Sequence, residues 1–194
     1  MNIVFAYLTG LNPQKGGVER ITDIIAKILL KRGYTIFYLN WKREQDNYEY
    51  PVPVIDLPSS NLEDPNNLEV YNRFLKENRI DIIINQHGLY EGTYFLSQVK
   101  VQNVKIISVL HSDPFGYYNH LFADLMTLRD SSIKEKVKRV ARFFLYRKVK
   151  KIIHRSLVNH YTFIQEHPQY VCLLSESYKE RLEEYCDLPD NYFI

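Results

Sequence analysis

The sequence predicts a protein of the α/β class, with a doubly wound, mainly parallel sheet between layers of helices. Two observations carry this prediction. Short β-branched apolar runs alternate along the chain with segments whose apolar residues recur at helical spacing, which is typical of βαβ units. The apolar runs are also nearly continuous, as expected of strands that are buried on both faces of a sheet.

Strands and helices are predicted in alternation along most of the chain. The predicted strands are residues 2–8, 34–41, 52–57, 81–86, 105–111 and 170–174. The predicted helices are residues 18–31, 67–79, 92–101, 132–160 and 176–186. The first helix carries the apolar stripe Ile21, Ile24, Ile25, Ile28 and Leu29 and stops at Gly33, as a helix C-terminus does.

The length and composition indicate one ordinary domain. The 194 residues are 45% hydrophobic and 25% charged, so the chain is large enough to bury a core, and disorder is excluded. We find no internal repeat and no low-complexity linker, and residues 1–194 are predicted to form a single domain. The last segment, DLPDNYFI, resembles a connection that enters a new strand, and we therefore expect the sequence to be the first part of a longer protein.

The chain carries no recognisable export or membrane-spanning signal. Its start, MNIVFAYLTG, lacks the basic region and cleavage site of a signal peptide, and its apolar runs are strand-sized. Cys172 and Cys186 form neither a disulfide framework nor a metal-ligand pair. We expect a cytoplasmic protein with reduced thiols.

One segment is strongly cationic. Residues 134–155 hold ten of the 25 Lys and Arg residues but one of the 23 acids, Glu135. The helix predicted there either packs an apolar stripe on the domain and leaves its charges in water, or meets an anionic membrane face. The residues expected to face a membrane in the second case are Lys134, Lys138, Arg142, Phe143 and Tyr146. Nucleic-acid binding is not expected, because no known binding motif accompanies the charge.

In a doubly wound sheet, ligands bind beyond the carboxyl ends of the strands. The loop after the first strand, TGLNPQKGGVER, holds Gly16 and Gly17 but matches neither the G-x-G-x-x-G dinucleotide pattern nor the G-x-x-x-x-G-K-[ST] phosphate loop. Two interpretations stay open for the glycine pair. It allows backbone N–H groups at a helix start to approach a phosphate, or it only turns the chain.

Two histidines lie at the carboxyl ends of predicted strands: His111 is the last residue of one, and His87 follows another. His111 could donate a hydrogen bond to a substrate hydroxyl or move a proton, or it could bond a neighbouring loop. Asp113 could orient that histidine or face solvent. His87 could line the same crevice, or be a solvated loop histidine. His154, His160 and His167 have no metal-type spacing and receive no role.

The segment GGVERITDIIAKILLKRGYTIFYL joins a Gly-Gly pair, a helix, a Gly-Tyr step and a second strand. It resembles the opening of retaining glycosyltransferases of family 4, which have the GT-B fold. SVLHSDP is similar to that family's strand-to-His segment, and YVCLLSESYKERL to the last strand of its N-terminal domain. The resemblance spans nearly the whole chain.

This resemblance implies a Rossmann-like three-layer αβα sandwich, the acceptor-side half of a GT-B protein. The donor-binding C-terminal domain, with the family's Glu-x7-Glu pair, is absent from the chain. By position, Gly16 and Gly17 would lie near the donor diphosphate, and His111 would contact the transferred sugar as the catalytic residue. The acceptor-side residues would be His87, Tyr90 and Asp113.

The implied reaction moves a hexosyl unit from a nucleotide sugar to a hydroxyl of a saccharide or lipid-linked acceptor, with retention. The donor phosphate would take the acceptor proton, and no metal or other cofactor is expected. We expect a role in cell-surface polysaccharide or glycolipid synthesis, with peripheral attachment to the inner membrane face, and an inactive fragment when this half stands alone. The alternatives are a sugar-nucleotide epimerase of the same architecture and a non-catalytic sugar- or lipid-binding module.

Overall fold

The computed structural model describes residues 1–42, 48–88, 90–116, 118, 120, 133–167, 170–186 and 192–194. It describes the backbone alone for residues 90, 133–136, 138, 139, 142, 143, 165 and 193.

Seven strands and five helices lie in the described part of the chain. The strands are β1 (Asn2–Tyr7), β2 (Thr35–Asn40), β3 (Val54–Asp56), β4 (Ile82–Asn85), β5 (Lys105–Leu110), β6 (Tyr170–Leu173) and β7 (Tyr192–Phe193). The helices are α1 (Gly17–Lys31), α2 (Pro65–Glu77), α3 (Tyr90–Ser97), α4 (Ile133–Glu166) and α5 (Glu176–Glu183). Each predicted strand and helix is present, and the strand expected near the end of the sequence is β7.

The described strands form one sheet in the order β3-β2-β1-β4-β5-β6-β7, and every neighbouring pair is parallel. Ile3 of β1 pairs with Ile36 of β2 on one side and Ile82 of β4 on the other. The strand order reverses between β1 and β4, which makes that gap the topological switch point of a doubly wound sheet. The predicted fold class is confirmed.

The helices lie on both faces of the sheet. Ile3 and Phe5 point to the face covered by α1, where they pack in one cluster with Ala26. Val4 points to the opposite face, in a cluster with Tyr71 of α2 and Phe95 of α3. Since neighbouring residues of a strand point to opposite faces, the sheet is the middle layer of three.

The apolar stripe of α1 predicts that this side of the helix faces the sheet. In the structure a different side of α1 faces it. The stripe residues Ile21, Ile24, Ile25 and Ile28 are 36% to 46% exposed. The buried residues of the helix include Thr22, Asp23 and Ala26. The small Ala26 lets the helix approach β1 and β2 closely, and Thr22 satisfies its hydroxyl by donating to the carbonyl of Val18 at 2.7 Å.

Helix α2 begins two residues before its predicted start. Asp64 caps it by accepting a hydrogen bond from the backbone N–H of Asn66 at 3.0 Å, and Pro65 occupies the first turn.

Helix α4 has two different halves. Its 34 residues span about 51 Å, and the C-terminal half packs Leu157 and Ile164 against β5, β6 and Phe115. In the N-terminal half, Val137, Val140, Phe144 and Leu145 are all more than half exposed. For these residues, the interpretation that the stripe packs on the domain is wrong. No helix in the described part of the chain combines the length and the apolar content needed to cross a membrane.

Candidate functional site

The candidate site lies at the carboxyl edge of the sheet, around the gap between β1 and β4. All described strands run in the same direction, so the loops that follow β1, β4 and β5 meet at this edge. Ligands of doubly wound sheets bind at such a switch point.

The loop between β1 and α1 is fixed by its own side chains. Leu11 is fully buried in the core cluster under α1. Asn12 is also buried, and its Oδ1 accepts from the backbone N–H of Gln14 at 3.0 Å, while its carbonyl accepts from Lys15 at 3.0 Å. The start of α1 is therefore held in place with respect to the sheet.

Gly16 and Gly17 differ in their surroundings. Gly16 has extended backbone at the N-cap of α1, and a Cβ there would overlap the carboxylate of the buried Glu19, which folds back over the helix start. A Cβ on Gly17 would meet no atom within 4 Å. The open space at the helix start thus lies beside Gly17, where backbone N–H groups are directed outward.

The side chains of His111 and Gln86 are joined by a hydrogen bond between Nε2 and Oε1. Because an amide oxygen only accepts, Nε2 carries the hydrogen, and Nδ1 of the neutral ring keeps a lone pair. Burial lowers the pKa of His111 below its usual range, which favours that neutral form. Gln86 is itself buried and extends the pairing of β4 with β1 through its N–H to the carbonyl of Ala6 at 2.9 Å.

His87 lies between two aromatic rings. Its ring centroid is 5.9 Å from that of Tyr7 and 5.6 Å from that of Trp41, both edge-on. Burial, followed by the charge of His160, lowers the pKa of His87. The interpretation of His87 as a solvated loop histidine is therefore wrong.

A buried amide supports the backbone of His87. Asn85, at the end of β4, accepts from the N–H of His87 through Oδ1 at 3.0 Å. Its Nδ2 donates to Thr93 on α3 and to Ser108 on β5, each at 3.0 Å. These bonds fix the direction in which the chain leaves β4.

His160 also belongs to this edge, although no role is predicted for it from its spacing in the sequence. Its Nε2 donates to the carbonyl of Gly88 at 2.9 Å, since a carbonyl oxygen can only accept. Burial lowers the pKa of His160, and the hydrogen bond to Gly88 opposes that shift.

Asp113 does not orient His111. One carboxylate oxygen forms an ion pair with Arg181 of α5, and the other accepts from the N–H of Phe115 at 3.0 Å. Both oxygens thus help to fix the loop after β5 to α5. The expectation that Asp113 either orients His111 or faces solvent is therefore corrected.

A cavity of about 730 Å³ opens beside His87. Its walls are Trp41 from the end of β2, the loop before α2, and the helix α3, on which Tyr94 and Phe95 line the cavity. Gly92 lets α3 come close to Trp41, since a Cβ at that position would lie 3.1 Å from the indole ring. Aromatic walls with a few polar groups are typical of small-molecule sites.

The polar lining of this cavity is acidic. Glu63, Asp64 and Glu91 are among the described lining residues, and these include no Lys or Arg. The loop that carries Glu63 is held by the buried Asn67, whose Nδ2 donates to the carbonyls of Ser59 and Asn61 at 2.8 Å. The cavity therefore suits a neutral, hydroxyl-rich or cationic ligand better than an anion.

For some predicted site residues, the structure describes the backbone but not the side chain. Tyr90 begins α3, but its side chain is outside them. Among the membrane candidates, the same holds for Lys134, Lys138, Arg142 and Phe143. Tyr146 is half-buried, with Nζ of Lys150 5.9 Å from its ring centroid.

Comparisons with known proteins give structural likeness alone. No family model matches the sequence, and no curated protein sequence matches it. The structure resembles sucrose-phosphate synthase from Thermosynechococcus elongatus, at 13% identity and a TM-score of 0.65, over 99% of this chain and 47% of that one. It also resembles Anabaena Alr3699/HepE in complex with UDP-glucose, at 14% identity and a TM-score of 0.51, over 100% of this chain and 44% of that one.

A second Anabaena Alr3699/HepE structure, in complex with UDP and glucose, matches equally well, at 14% identity and a TM-score of 0.51 over 98% of this chain. The chain spans less than half the length of each of these proteins. The likeness supports the GT-B fold that the sequence predicts. Membership of family 4 stays a prediction from the sequence.

Proposed function

We propose that this chain is the acceptor-side half of a glycosyltransferase, which moves a hexosyl unit from a nucleotide sugar to an acceptor hydroxyl with retention of configuration. The observation that carries the proposal is that an open helix start after β1, a histidine bonded to Gln86 and a cavity beside His87 lie at the same carboxyl edge of the sheet. The resemblance of the opening motif to family 4 supports it.

The donor diphosphate binds at the start of α1 in this proposal. The first backbone N–H groups of a helix have no partner within the helix, and the helix dipole favours negative charge there. The space beside Gly17 admits a phosphate oxygen, whereas the carboxylate of Glu19 faces Gly16. We assign the neutralisation of the diphosphate to amides and basic side chains, with no metal ion.

His111 positions the transferred sugar. With Nε2–H bonded to Gln86, its Nδ1 accepts a hydrogen bond from a sugar hydroxyl. A ring held by a second residue keeps one orientation, which is what a positioned catalytic group requires. Gln86 is in this account a positioning residue.

The cavity beside His87 holds the acceptor, a saccharide or a lipid-linked saccharide used in polysaccharide or glycolipid synthesis. The acceptor oxygen bonds to the anomeric carbon while the bond from that carbon to the diphosphate oxygen breaks. The acceptor proton passes to the departing phosphate. Aromatic faces and carboxylates are chemically suited to sugar rings and their hydroxyls.

The test uses the full-length protein and a panel of nucleotide sugars that includes UDP-glucose. We expect one of them to bind and release its nucleoside diphosphate, and we expect His111→Ala to slow that release by about 100-fold or more. His167→Ala, a change of an exposed histidine that contacts Phe163, is the matched control and should not slow it. If no nucleotide sugar is bound or cleaved, or if His111→Ala equals the wild type, the proposal fails.

A further inference from the structure

The N-terminal half of α4 presents a surface that combines apolar and cationic side chains. We define it as the α4 surface, residues 137–155. Its exposed apolar residues, 52% to 79% accessible, are Val137, Val140, Phe144, Leu145 and Ile152. Its exposed cations are Arg147, Lys148, Lys151 and Arg155.

Both kinds of residue lie along the same outward side of the helix. Residues 137, 144, 148 and 155 are separated by seven, four and seven positions, which places them in one row at 3.6 residues per turn. An ordinary surface helix turns its apolar row toward the core and its charges outward. Here the apolar row is itself turned outward, together with cations.

A cationic cleft lies beside this row. Arg147, Lys150, Lys151 and His154 surround an open cavity of about 340 Å³ with Tyr118. Lys150 is held against Tyr118, with Nζ 4.8 Å from the ring centroid. The described lining residues include no carboxylate, and residues 136–155 contain no Asp or Glu.

We propose that the α4 surface binds the surface of an anionic phospholipid bilayer, and that the cleft receives a headgroup phosphate. Apolar side chains on a cationic helix insert at the boundary of headgroups and acyl chains, while Lys and Arg are attracted to anionic headgroups. A nucleic acid would use the cations but would bury no apolar side chains such as Val140 and Leu145. A protein interface disfavours Lys, which is abundant here.

This proposal does not rest on sugar transfer, because membrane binding is measured without any substrate. Failure of one proposal therefore leaves the other intact.

The test is co-sedimentation of the full-length protein with vesicles of phosphatidylcholine alone, or of phosphatidylcholine mixed with phosphatidylglycerol. We expect binding to the mixed vesicles only, and we expect it to weaken steeply as salt is raised, because salt screens exposed charges. Equal binding to both vesicles, no binding to either, or binding that salt does not change overturns the proposal.

Two double variants locate the surface. Arg147→Gln with Lys151→Gln should weaken binding to the mixed vesicles about 30-fold, since each cation near such a surface contributes about fivefold. Val140→Ser with Leu145→Ser should weaken it about tenfold or more.

The matched control is Lys31→Gln with Lys76→Gln, which removes two exposed cations from α1 and α2 and should leave binding unchanged. Equal losses in the control and in the α4 variants overturn the proposal. It is also overturned if Val140→Ser with Leu145→Ser changes the oligomeric state in sedimentation and leaves vesicle binding intact, because the surface then joins two copies of the chain.

Discussion

The Nε2 of His160 lies 2.9 Å from the carbonyl oxygen of Gly88, and this bond joins α4 to the chain that leaves β4. The two residues are 72 positions apart. The rings of His160 and His87 are also coupled electrostatically, since a proton on His160 disfavours a second proton on His87 and so helps to lower the pKa of His87. The long helix therefore supports one wall of the candidate site.

The first prediction concerns pH. Burial lowers the pKa of His87, His111 and His160 in the folded protein, whereas an unfolded histidine titrates at about 6.5. Below that pH the unfolded chain takes up protons that the folded protein does not, so the free energy of unfolding falls. We expect the urea midpoint to drop as the pH is lowered from about neutral to about 5.

His160→Gln should make this drop shallower, since Gln keeps a donor for Gly88 but does not titrate. His167→Gln is the control for a histidine at an exposed position. An unchanged or steeper pH dependence in His160→Gln would show that this histidine is not held neutral.

The second prediction concerns the glycine pair. Gly17→Ala places a methyl in the open space at the start of α1 and should raise the donor KM about tenfold or more. The same change should raise the free energy of unfolding by up to about 1 kcal/mol, because Ala favours a helix. Kinetics with the nucleotide sugar, together with urea unfolding, measure both effects.

Gly16→Ala is the companion variant. It must displace the Glu19 carboxylate and loses a favourable N-cap residue, so it should cost about 1 kcal/mol of stability. An unchanged donor KM in Gly17→Ala would remove this helix start from the donor site.

The third prediction tests the unusual orientation of α1. Ala26 is fully buried and Ile24 is 46% exposed. Ala26→Leu should therefore lower the free energy of unfolding by about 1–3 kcal/mol through overpacking, whereas Ile24→Gln should change it by less than about 0.5 kcal/mol. A larger loss in Ile24→Gln than in Ala26→Leu would mean that the stripe faces the sheet after all.

The fourth prediction concerns the cavity beside His87. Glu91→Ala should raise the acceptor KM about tenfold, as expected from the loss of a hydrogen bond to a charged group, and should leave the donor KM unchanged. Glu77→Ala, at an exposed position at the end of α2, is the matched control. Equal effects of the two variants on the acceptor KM would exclude the cavity as the acceptor site.

Much of the fold could be predicted from the sequence because buried parallel strands leave a strong local signal. Runs such as 81–86 and 105–111 contain consecutive isoleucines, and the described β4 and β5 fall inside them. The orientation of α1 could not be predicted in this way. The approach of the helix to the sheet is decided by the small Ala26 opposite bulky strand residues, and the isoleucine stripe is the stronger signal in the sequence.

The site was predictable only in its outline. His87 and His111 were marked by their positions after strands, but their partners come from elsewhere. Trp41 follows β2, which is separated from β4 by β1. Gln86 is the last residue of a predicted strand, and His160 lies within a helix without metal-type spacing. Such partners follow from the three-dimensional arrangement, and only Trp41, as the single tryptophan at a strand end, carried a local signal.

The most direct test of the central claim is the NMR analysis of the product that the full-length protein forms from UDP-glucose, or from the nucleotide sugar found to bind, and an acceptor. We expect a glycoside whose anomeric carbon keeps the configuration it had in the donor. A product of inverted configuration, an epimerised nucleotide sugar, or bound donor without any transfer would contradict it.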